Sequence, residues 1–271
     1  MTFSAKEMIK QRKSVRTFDG KTLSDEDRKN LESYIQVLTN PFDVPVEFRL
    51  LDAKEHQLSS PVIVGEHTYL AAKVKRERNY EIAFGYSFEK ACLYAKSLGI
   101  GTVILAASLS RSAFEEAMNV QEDEVLPTAS PVGYPAEKRS IRENLMRKGM
   151  KSDERIAFGE LFFEGSFDKP LTEEAAGEYA QALEMTRLSP SATNKQPWRA
   201  VVDGSRVHFY EQKTLKDSAL GDIQKVDVGI ALCHFDLVME ENGASGRFLF
   251  EAPQIKMPEN VYYIATYERV G

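Results

Sequence analysis

The chain has 271 residues, of which 42% are hydrophobic and 28% charged, a composition typical of a soluble globular protein. Its net charge of -6 and isoelectric point near 5.5 argue against nucleic-acid binding, which depends on a basic surface. Two cysteines without CxxC spacing, no apolar run at the amino terminus and no stretch of about 18 apolar residues predict a cytoplasmic protein without a disulfide framework, signal peptide or membrane span.

A cluster of cations and hydroxyls follows a short helical pattern at residues 4–10. Residues 12–17 read Arg-Lys-Ser-Val-Arg-Thr, so three cations and two hydroxyls lie within six positions. Arg offers a bidentate fork, Lys a point charge and Ser a short donor, and together these groups suit a phosphate. The alternative is a solvated basic face after a helix, and this segment alone leaves both interpretations open.

Helical and strand periodicities organise the next ninety residues. Ser24 is predicted to cap a helix with an acidic first turn, and residues 46–51 alternate like a strand. Residues 69–74 are predicted to form a short helix or turn. A long helix at residues 84–98 ends at Leu-Gly-Ile-Gly-Thr, before a buried strand. Because this Gly-x-Gly follows a helix, it does not indicate a dinucleotide-binding fold, in which the glycines follow a strand.

The middle of the chain suggests a boundary. A helix at residues 110–118 and a strand at 126–132 precede a basic stretch, residues 137–155, with few apolar side chains, which is predicted to be an exposed connector. Residues 156–167 contain four phenylalanines and are too apolar for a free linker. We therefore predict two organisational units that meet near residue 165.

A polar turn stands in the second half. Residues 188–198 read Leu-Ser-Pro-Ser-Ala-Thr-Asn-Lys-Gln-Pro-Trp and include the only tryptophan of the chain. Two prolines restrict the backbone, while hydroxyl and amide side chains offer donors and acceptors at several angles. Such a turn suits a planar heterocycle rich in carbonyls and ring nitrogens. The alternative is an ordinary loop that leads into a β-hairpin at residues 199–210.

The order of elements repeats after residue 165. A capped, acidic helix start at residues 22–26 is echoed at residues 170–174, and Gly85 and Gly99 are separated by 14 residues, as are Gly229 and Gly243. Both glycine pairs have the same offset of 144 residues, which favours an internal duplication. Only the first half has the basic segment, and only the second has the polar turn. A single composite site built from both halves would explain both losses.

Four motifs resemble the FMN-dependent nitroreductase family. Residues 12–18 are similar to its Arg-Arg-Ser-x-Arg-x-Phe segment, and residues 190–198 to its Pro-Ser-Ser-x-Asn-x-Gln-Pro-Trp turn. Residues 95–102, Ala-Lys-Ser-Leu-Gly-Ile-Gly-Thr, resemble Ala-x-x-Leu-Gly-Leu-Gly-Thr, and residues 132–135 resemble Leu-Gly-Tyr-Pro. The last motif is weak alone, but the set is specific.

The resemblance implies an α+β nitroreductase-like fold with central, mostly antiparallel sheets flanked by helices. Members of the family are usually homodimers, in which one subunit supplies the basic segment and the other the polar turn. Here one polypeptide carries both motifs, so the chain resembles a fused pseudo-dimer, with halves at residues 1–165 and 166–271. We expect a monomer that binds one FMN.

The resemblance also assigns cofactor-binding residues in both halves. Arg12, Ser14 and Arg16 are expected at the FMN phosphate, and Lys13 at the ribityl chain or pyrimidine edge. The nearest matches to a late basic pair that reaches the phosphate in relatives are Lys148 and Lys151. The candidates for the backbone amide that bonds flavin N5 are Ala106, Ala107 and Ser108. The residues of the turn expected at the isoalloxazine are Pro190, Ser191, Ala192, Asn194 and Gln196.

The chemistry implied by the resemblance is a ping-pong reaction in which NADH or NADPH reduces the flavin and an electron-poor acceptor, such as a nitroaromatic or a quinone, is then reduced. The flavin carries this chemistry, so no catalytic side chain is predicted. Four scattered histidines predict no metal site. The alternatives are an FMN-binding protein without reductase turnover and a flavoenzyme of the same fold with a different acceptor.

Overall fold

The computed structural model describes residues 3–138, 140–149 and 154–270. The chain separates into two compact units. The first unit is Gln11–Ser152, and the second combines Met1–Lys10 with Asp153–Gly271. This division differs from the predicted boundary near residue 165, because strand Phe162–Glu164 pairs with strand Trp198–Asp203 and so belongs to the sheet of the second unit.

The first unit is built on an antiparallel sheet. Its strands in chain order are β1 (Val46–Asp52), β2 (Thr68–Lys75), β3 (Gly101–Thr102), β4 (Glu124–Val125) and β5 (Ala129–Gly133). The sheet order is β1-β2-β5-β3, and β4 pairs with β2. The helices, after α1 (Ala5–Gln11) at the amino terminus, are α2 (Asp25–Gln36), α3 (Tyr80–Ser97), α4 (Arg111–Ala117) and α5 (Ile141–Gly149).

One sequence expectation fails in this unit. The prediction of a short helix or turn at residues 69–74 is wrong, because these residues form most of β2. This strand lies between β1 and β5 and is buried at seven successive positions, so its sequence lacks the alternation of a half-exposed strand. The predicted exposed connector at residues 137–155 contains the helix α5, in which residues 144, 145, 148 and 149 are exposed and Glu143 is buried.

The second unit is built on a mixed sheet. Its strands are β6 (Phe162–Glu164), β7 (Trp198–Asp203), β8 (Arg206–Gln212), β9 (Ser245–Leu249) and β10 (Val261–Val270). They are ordered β6-β7-β8-β10-β9, and every pairing is antiparallel except that of β6 with β7. Its helices, which complete the α+β fold, are α6 (Phe158–Leu161), α7 (Ala180–Arg187) and α8 (Ile223–Glu241).

The long helices α3 and α8 end in the same way. Gly99 follows α3 with φ 79°, and Gly243 follows α8 with φ 80°. In each unit the amide of the next residue donates back to a carbonyl five positions earlier, which is a common helix ending that a glycine favours. The glycines of the proposed repeat therefore occupy matching positions in the two units. Among the helices that the structure describes, none is both long and apolar enough to cross a membrane.

Candidate functional site

The basic segment of the first unit is an extended chain held on several sides. Val15 N donates to Thr102 O at 2.9 Å, and Phe18 N donates to Val64 O at 2.8 Å. Further along, Ala136 N donates to Thr17 O at 3.0 Å. These bonds bring the segment beside the Gly-Ile-Gly-Thr turn and the loop after β5, although the three stretches lie far apart in the sequence.

Gly101 is required for this close approach. A Cβ atom at Gly101 would lie 2.8 Å from Val15 Cγ2 and 3.0 Å from Pro135 Cγ, both shorter than ordinary packing contacts. The two glycines of the Gly-Ile-Gly-Thr turn therefore serve different purposes. Gly99 ends α3 with a positive φ, whereas Gly101 leaves room for the basic segment.

Arg12 lies at the buried end of the segment. Its Nε is 3.3 Å from Glu89 Oε1 of α3, and their side chains are 8% and 0% exposed. Burial raises the pKa of the neighbouring Cys92 thiol, and the Glu89 carboxylate acts in the same direction, while Arg12 opposes both. The thiol is therefore neutral at physiological pH. Arg12 keeps part of its charge balanced by Glu89 inside the first unit.

A cavity of about 650 Å³ opens along the segment, wholly within the first unit. Its lining comes from the basic segment, the Gly-Ile-Gly-Thr turn, the loop after β5 and the start of α5. The charged side chains of the lining are Arg12, Lys13, Lys96, Lys138, Glu137 and Glu143. Within the described ranges, Lys13, Lys96 and Lys138 have no acidic partner, so their ammonium groups can meet an anion.

The acidic side of the cavity is tied to the fold. Glu143 is 3% exposed, and its Oε2 accepts a 2.8 Å hydrogen bond from Thr17 Oγ1. Ser140 precedes α5, and its Oγ accepts from Glu143 N at 3.1 Å, as in a helix N-cap. Thr17 and Ser140 thus connect the basic segment to the start of α5.

The structure separates the predicted cofactor-binding residues of the first half. Arg12 and Ser14, expected at the phosphate, and Lys13, expected at the ribityl chain or the pyrimidine edge, line the cavity. Arg16 is 8% exposed and lies outside the lining, as does the exposed Lys148 of α5. Lys151 lies outside the described residues.

Two basic residues of the lining escaped the sequence analysis. Lys96 lies within the third motif, and Lys138 follows the Gly-Tyr-Pro motif by three positions. Proximity to these motifs was the available signal, because neither lysine belongs to a basic cluster near residue 12.

The loop after residue 105 keeps its amides open. Leu105 and Ala129 exchange two backbone hydrogen bonds, and Arg111 Nη2 donates to Ala106 O at 2.9 Å. Across the described part of the chain, the amides of Ala106, Ala107 and Ser108 have no hydrogen-bond acceptor. The carbonyl side of the loop is thus fixed, and three N–H groups in sequence remain available.

The polar turn of the second unit has an unusual backbone. Thr193, Asn194 and Gln196 have φ values of 49°, 57° and 50°, in the left-handed region that residues with a Cβ seldom adopt. Trp198, the last residue of the turn and the first of β7, is fully buried. Because each left-handed residue costs conformational energy, the turn needs specific contacts to keep its shape.

Side chains of the turn supply several of these contacts. Gln196 N donates to Ser191 Oγ at 2.8 Å, and Gln196 Oε1 accepts from Ile156 N at 2.9 Å. Asn194 Nδ2 donates to Glu154 O at 3.1 Å. The polar groups predicted to face a flavin therefore already have partners within the second unit.

Charged residues hold the turn from both ends. Arg199 Nη1 donates to Gln196 O at 2.9 Å and to Trp198 O at 2.7 Å. The Asp227 carboxylate of α8 accepts from Ala192 N, with distances of 3.1 and 3.0 Å to its two oxygens. The Arg199 guanidinium on two carbonyls and the Asp227 carboxyl on an amide thus fix a backbone that sterics alone would disfavour.

The family described as "Putative TM nitroreductase" matches residues 4–239. The chain belongs to this nitroreductase family. The match spans both units, so it confirms the resemblance that four sequence motifs predicted. It also supports an oxidoreductase as the class of enzyme. No group of three or more potential metal ligands occurs among the described residues of this nitroreductase.

Solved structures extend the comparison. A "putative nitroreductase" from Thermotoga maritima is similar over 99% of this chain and 94% of its own, with a TM-score of 0.65 and 20% identity. The predicted nitroreductase-like fold is therefore confirmed over nearly the whole chain. No curated protein matches the chain.

Two further structures match about half of this nitroreductase. An FMN-dependent nitroreductase from Clostridium difficile covers 52% of this chain and 94% of its own, with 14% identity and a TM-score of 0.41. An FMN- and NADPH-dependent nitroreductase from a Sphigopyxis species covers 50% and 90%, with 11% identity and a TM-score of 0.42.

Proposed function

We propose that the chain is an FMN-dependent oxidoreductase that uses NADH or NADPH to reduce an electron-poor small molecule, such as a nitroaromatic or a quinone. The cavity of the first unit carries this proposal. Residues of three separate motifs, at 12–18, 95–102 and 132–135, contribute to its wall. A fold that brings together sequence motifs typical of FMN-dependent nitroreductases, in a chain of a nitroreductase family, favours a flavin as the ligand.

The cavity suits the phosphate end of FMN. Lys13, Lys96 and Lys138 offer ammonium groups without acidic partners in the described structure, and Ser14 adds a hydroxyl. A phosphate dianion is bound by such charge-assisted donors. The volume of about 650 Å³ falls in the range of small-molecule sites. We therefore propose that Arg12, Ser14, Lys96 and Lys138 bind the phosphate and that Lys13 lies at the ribityl chain or the pyrimidine edge.

The ring end of FMN needs different groups. One of the open amides of Ala106, Ala107 and Ser108 is proposed to bond flavin N5. The proposed roles of Ser191, Ala192 and Asn194 at the ring rest on the resemblance of the polar turn to the family motif. The side chains of Ser191 and Asn194 already form hydrogen bonds within the second unit. We therefore propose that the turn acts mainly through its shape and contacts the flavin ring with its backbone groups.

Bound FMN supplies the redox chemistry, and the chain supplies binding, orientation and electrostatics. Lys13 contributes positive charge to the cofactor site, and its replacement by Ala is expected to weaken binding and slow flavin reduction. No side chain needs to act as a nucleophile or a general base. Donor and acceptor are expected to use the same site in turn, which gives ping-pong kinetics.

The visible spectrum of the purified protein tests the proposal. We expect a yellow protein whose flavin absorption bleaches after anaerobic addition of NADH or NADPH and returns on addition of a nitroaromatic or quinone. Flavin absorption that persists with both donors would favour an FMN-binding protein without reductase turnover. A colourless protein that takes up no added FMN would contradict the proposal.

The stoichiometry tests the fused arrangement separately. We propose one FMN per chain and a monomer in solution. Analytical ultracentrifugation of the flavin-loaded protein, monitored at flavin and protein absorption, measures both quantities. Two flavins per chain, or loss of flavin when a dimer dissociates, would contradict this part of the proposal and leave the reductase activity standing.

A further inference from the structure

Asp227 is a buried carboxyl that the predicted site did not include. It lies on α8 and is 4% exposed. Its two oxygens are 3.1 and 3.0 Å from Ala192 N, and this amide is its sole hydrogen-bond donor within the described residues. The carboxyl thus acts on one atom of the polar turn and on no cation.

A buried carboxyl without a cationic partner is energetically unfavourable in a protein interior. Burial raises the pKa of Asp227 well above its ordinary value, the Ala192 amide acts against this shift, and the carboxyls of Asp222 and Glu211 add to it. A buried charge without a cationic partner contributes less stability than an apolar side chain of similar size. The contact with Ala192 is therefore the evident use of this carboxyl.

Ala192 is the point at which the turn enters its strained part. Thr193 and Asn194, the next two residues, have left-handed φ values, and Gln196 follows with a third. Ser191 is extended, with φ -149° and ψ 160°, so the chain changes direction at Ala192. A hydrogen bond to the Ala192 amide orients the Ser191–Ala192 peptide plane, one residue before the two left-handed residues.

We propose that Asp227 is a positioning residue that holds the polar turn in its flavin-binding shape through the Ala192 amide. The proposal rests on the proposed function for its consequence, since the turn is assigned to the flavin ring there. Its structural part concerns the second unit alone. The two parts can be tested by separate measurements on the full-length protein.

Amide hydrogen exchange of the flavin-free protein tests the structural part. Asp227→Leu removes the acceptor and keeps a side chain that branches at Cγ, and Asp227→Asn keeps one acceptor oxygen at nearly the same volume. Glu211→Gln is the control for the charge of the cluster, because the buried Glu211 carboxyl acts on Asp227 through its charge and both of its oxygens lack a hydrogen-bond partner within the described residues. We expect Ala192 to exchange at least about tenfold faster in Asp227→Leu, with a smaller change in Asp227→Asn and none in Glu211→Gln.

Flavin affinity and the visible spectrum of the holoprotein test the consequence. We expect the dissociation constant for FMN to rise about tenfold in Asp227→Leu, with a shift of the flavin absorption band, and to stay unchanged in Glu211→Gln. A partial return in Asp227→Asn would identify the hydrogen bond rather than the packing volume. This variant also serves if Asp227→Leu fails to fold, which far-ultraviolet circular dichroism detects.

The outcomes are distinguishable. Unchanged Ala192 exchange in both Asp227 variants, or equal effects of Glu211→Gln, would overturn the positioning role. Faster exchange with unchanged affinity and spectrum would overturn the link between the turn and the flavin. If the wild-type protein bound no FMN, the proposed function would fail, while the exchange measurement would still decide whether Asp227 holds the turn.

Discussion

The basic segment of the first unit and the polar turn of the second use polar residues in opposite ways. In the first unit, Lys13, Lys96 and Lys138 line a cavity without an acidic partner among the described residues, while the backbone of the basic segment stays extended. In the turn, side chains such as that of Gln196 bond to nearby backbone, and the backbone itself is strained. The first region offers side-chain chemistry, whereas the second offers a shape that its side chains maintain.

The largest expected effect comes from reversing charge in the cavity. In the double variant Lys96→Glu/Lys138→Glu, two attractive charges become repulsive, so we expect FMN affinity to fall at least about a hundredfold. Fluorescence titration of FMN at low and high salt measures the change. Lys148→Glu is the control, because Lys148 is an exposed lysine outside the lining. An equal loss of FMN affinity in Lys148→Glu would contradict the assignment of the phosphate to this cavity. It would also remove the contrast drawn between the basic segment and the polar turn.

Gly101→Ala tests whether the first region also depends on backbone shape. The new Cβ would meet Val15 and Pro135 at 2.8 and 3.0 Å. We expect a loss of about 1–3 kcal/mol in stability and weaker FMN binding, because the basic segment must move. Gly99→Ala meets open space and introduces only left-handed strain, about 1 kcal/mol, so it should leave FMN binding close to wild type. Urea unfolding and FMN titration compare the two, and identical behaviour would contradict the assigned role of Gly101.

The pH dependence of stability tests whether burial raises the pKa of the Glu211 carboxyl in the second unit. Burial, with a contribution from Asp222, raises the pKa of Glu211 to about 7 from an ordinary value of 4.5. A carboxyl with a raised folded-state pKa stabilises the fold fully below its unfolded-state pKa, and this contribution is lost as pH rises through about 7. We therefore expect the free energy of unfolding to fall between about pH 5 and pH 8 by about 1–2 kcal/mol more in wild type than in Glu211→Gln.

Urea denaturation across that range measures the difference. Parallel pH profiles for the two proteins would show that Glu211 keeps an ordinary pKa in the fold.

The smallest effect separates shape from direct contact at Asn194. Its φ of 57° suits glycine better than alanine. If the turn acts through its shape, Asn194→Gly should bind FMN about threefold more tightly than Asn194→Ala, since only the second adds strain. If the amide side chain bonds the flavin directly, both variants should lose the same affinity. Titration of FMN into each variant decides between these cases.

The sequence motifs predicted more of the candidate site than the hydrophobic periodicity did. Residues 12–18 and 99–102 were matched to the nitroreductase family from sequence, and they lie side by side in the first unit. The burial of Arg16 was not predictable from the sequence. Arg12, Lys13 and Arg16 are all cations in one short segment, and only tertiary contacts determine which of them line the cavity. Lys96 was missed for the converse reason, since Lys96 and Ser14 line one cavity only because the fold brings distant stretches of the sequence together.

Local sequence patterns failed in two situations: where a strand is buried on both faces, and where two interacting residues lie far apart in the sequence. The strand β2 has no exposed face to produce alternation, so it resembled a helix or turn. The bond between Asp227 and Ala192 joins residues 35 positions apart, and no local spacing rule connects a helix carboxyl to a turn amide. The composition of the polar turn indicated its rigidity. It did not indicate that the polar side chains would form hydrogen bonds with backbone groups of the second unit.

The amino terminus has a consequence for how the protein is made. Ser4 Oγ donates to Glu241 Oε1 at 2.7 Å, across 237 positions of sequence, and Lys6 N donates to the same carboxylate at 2.9 Å. At synthesis rates of about 5–20 residues per second, this partner leaves the ribosome roughly 10–50 s after the residues that bind it. Ser4 and Lys6 therefore cannot form these hydrogen bonds until Glu241 has been synthesised.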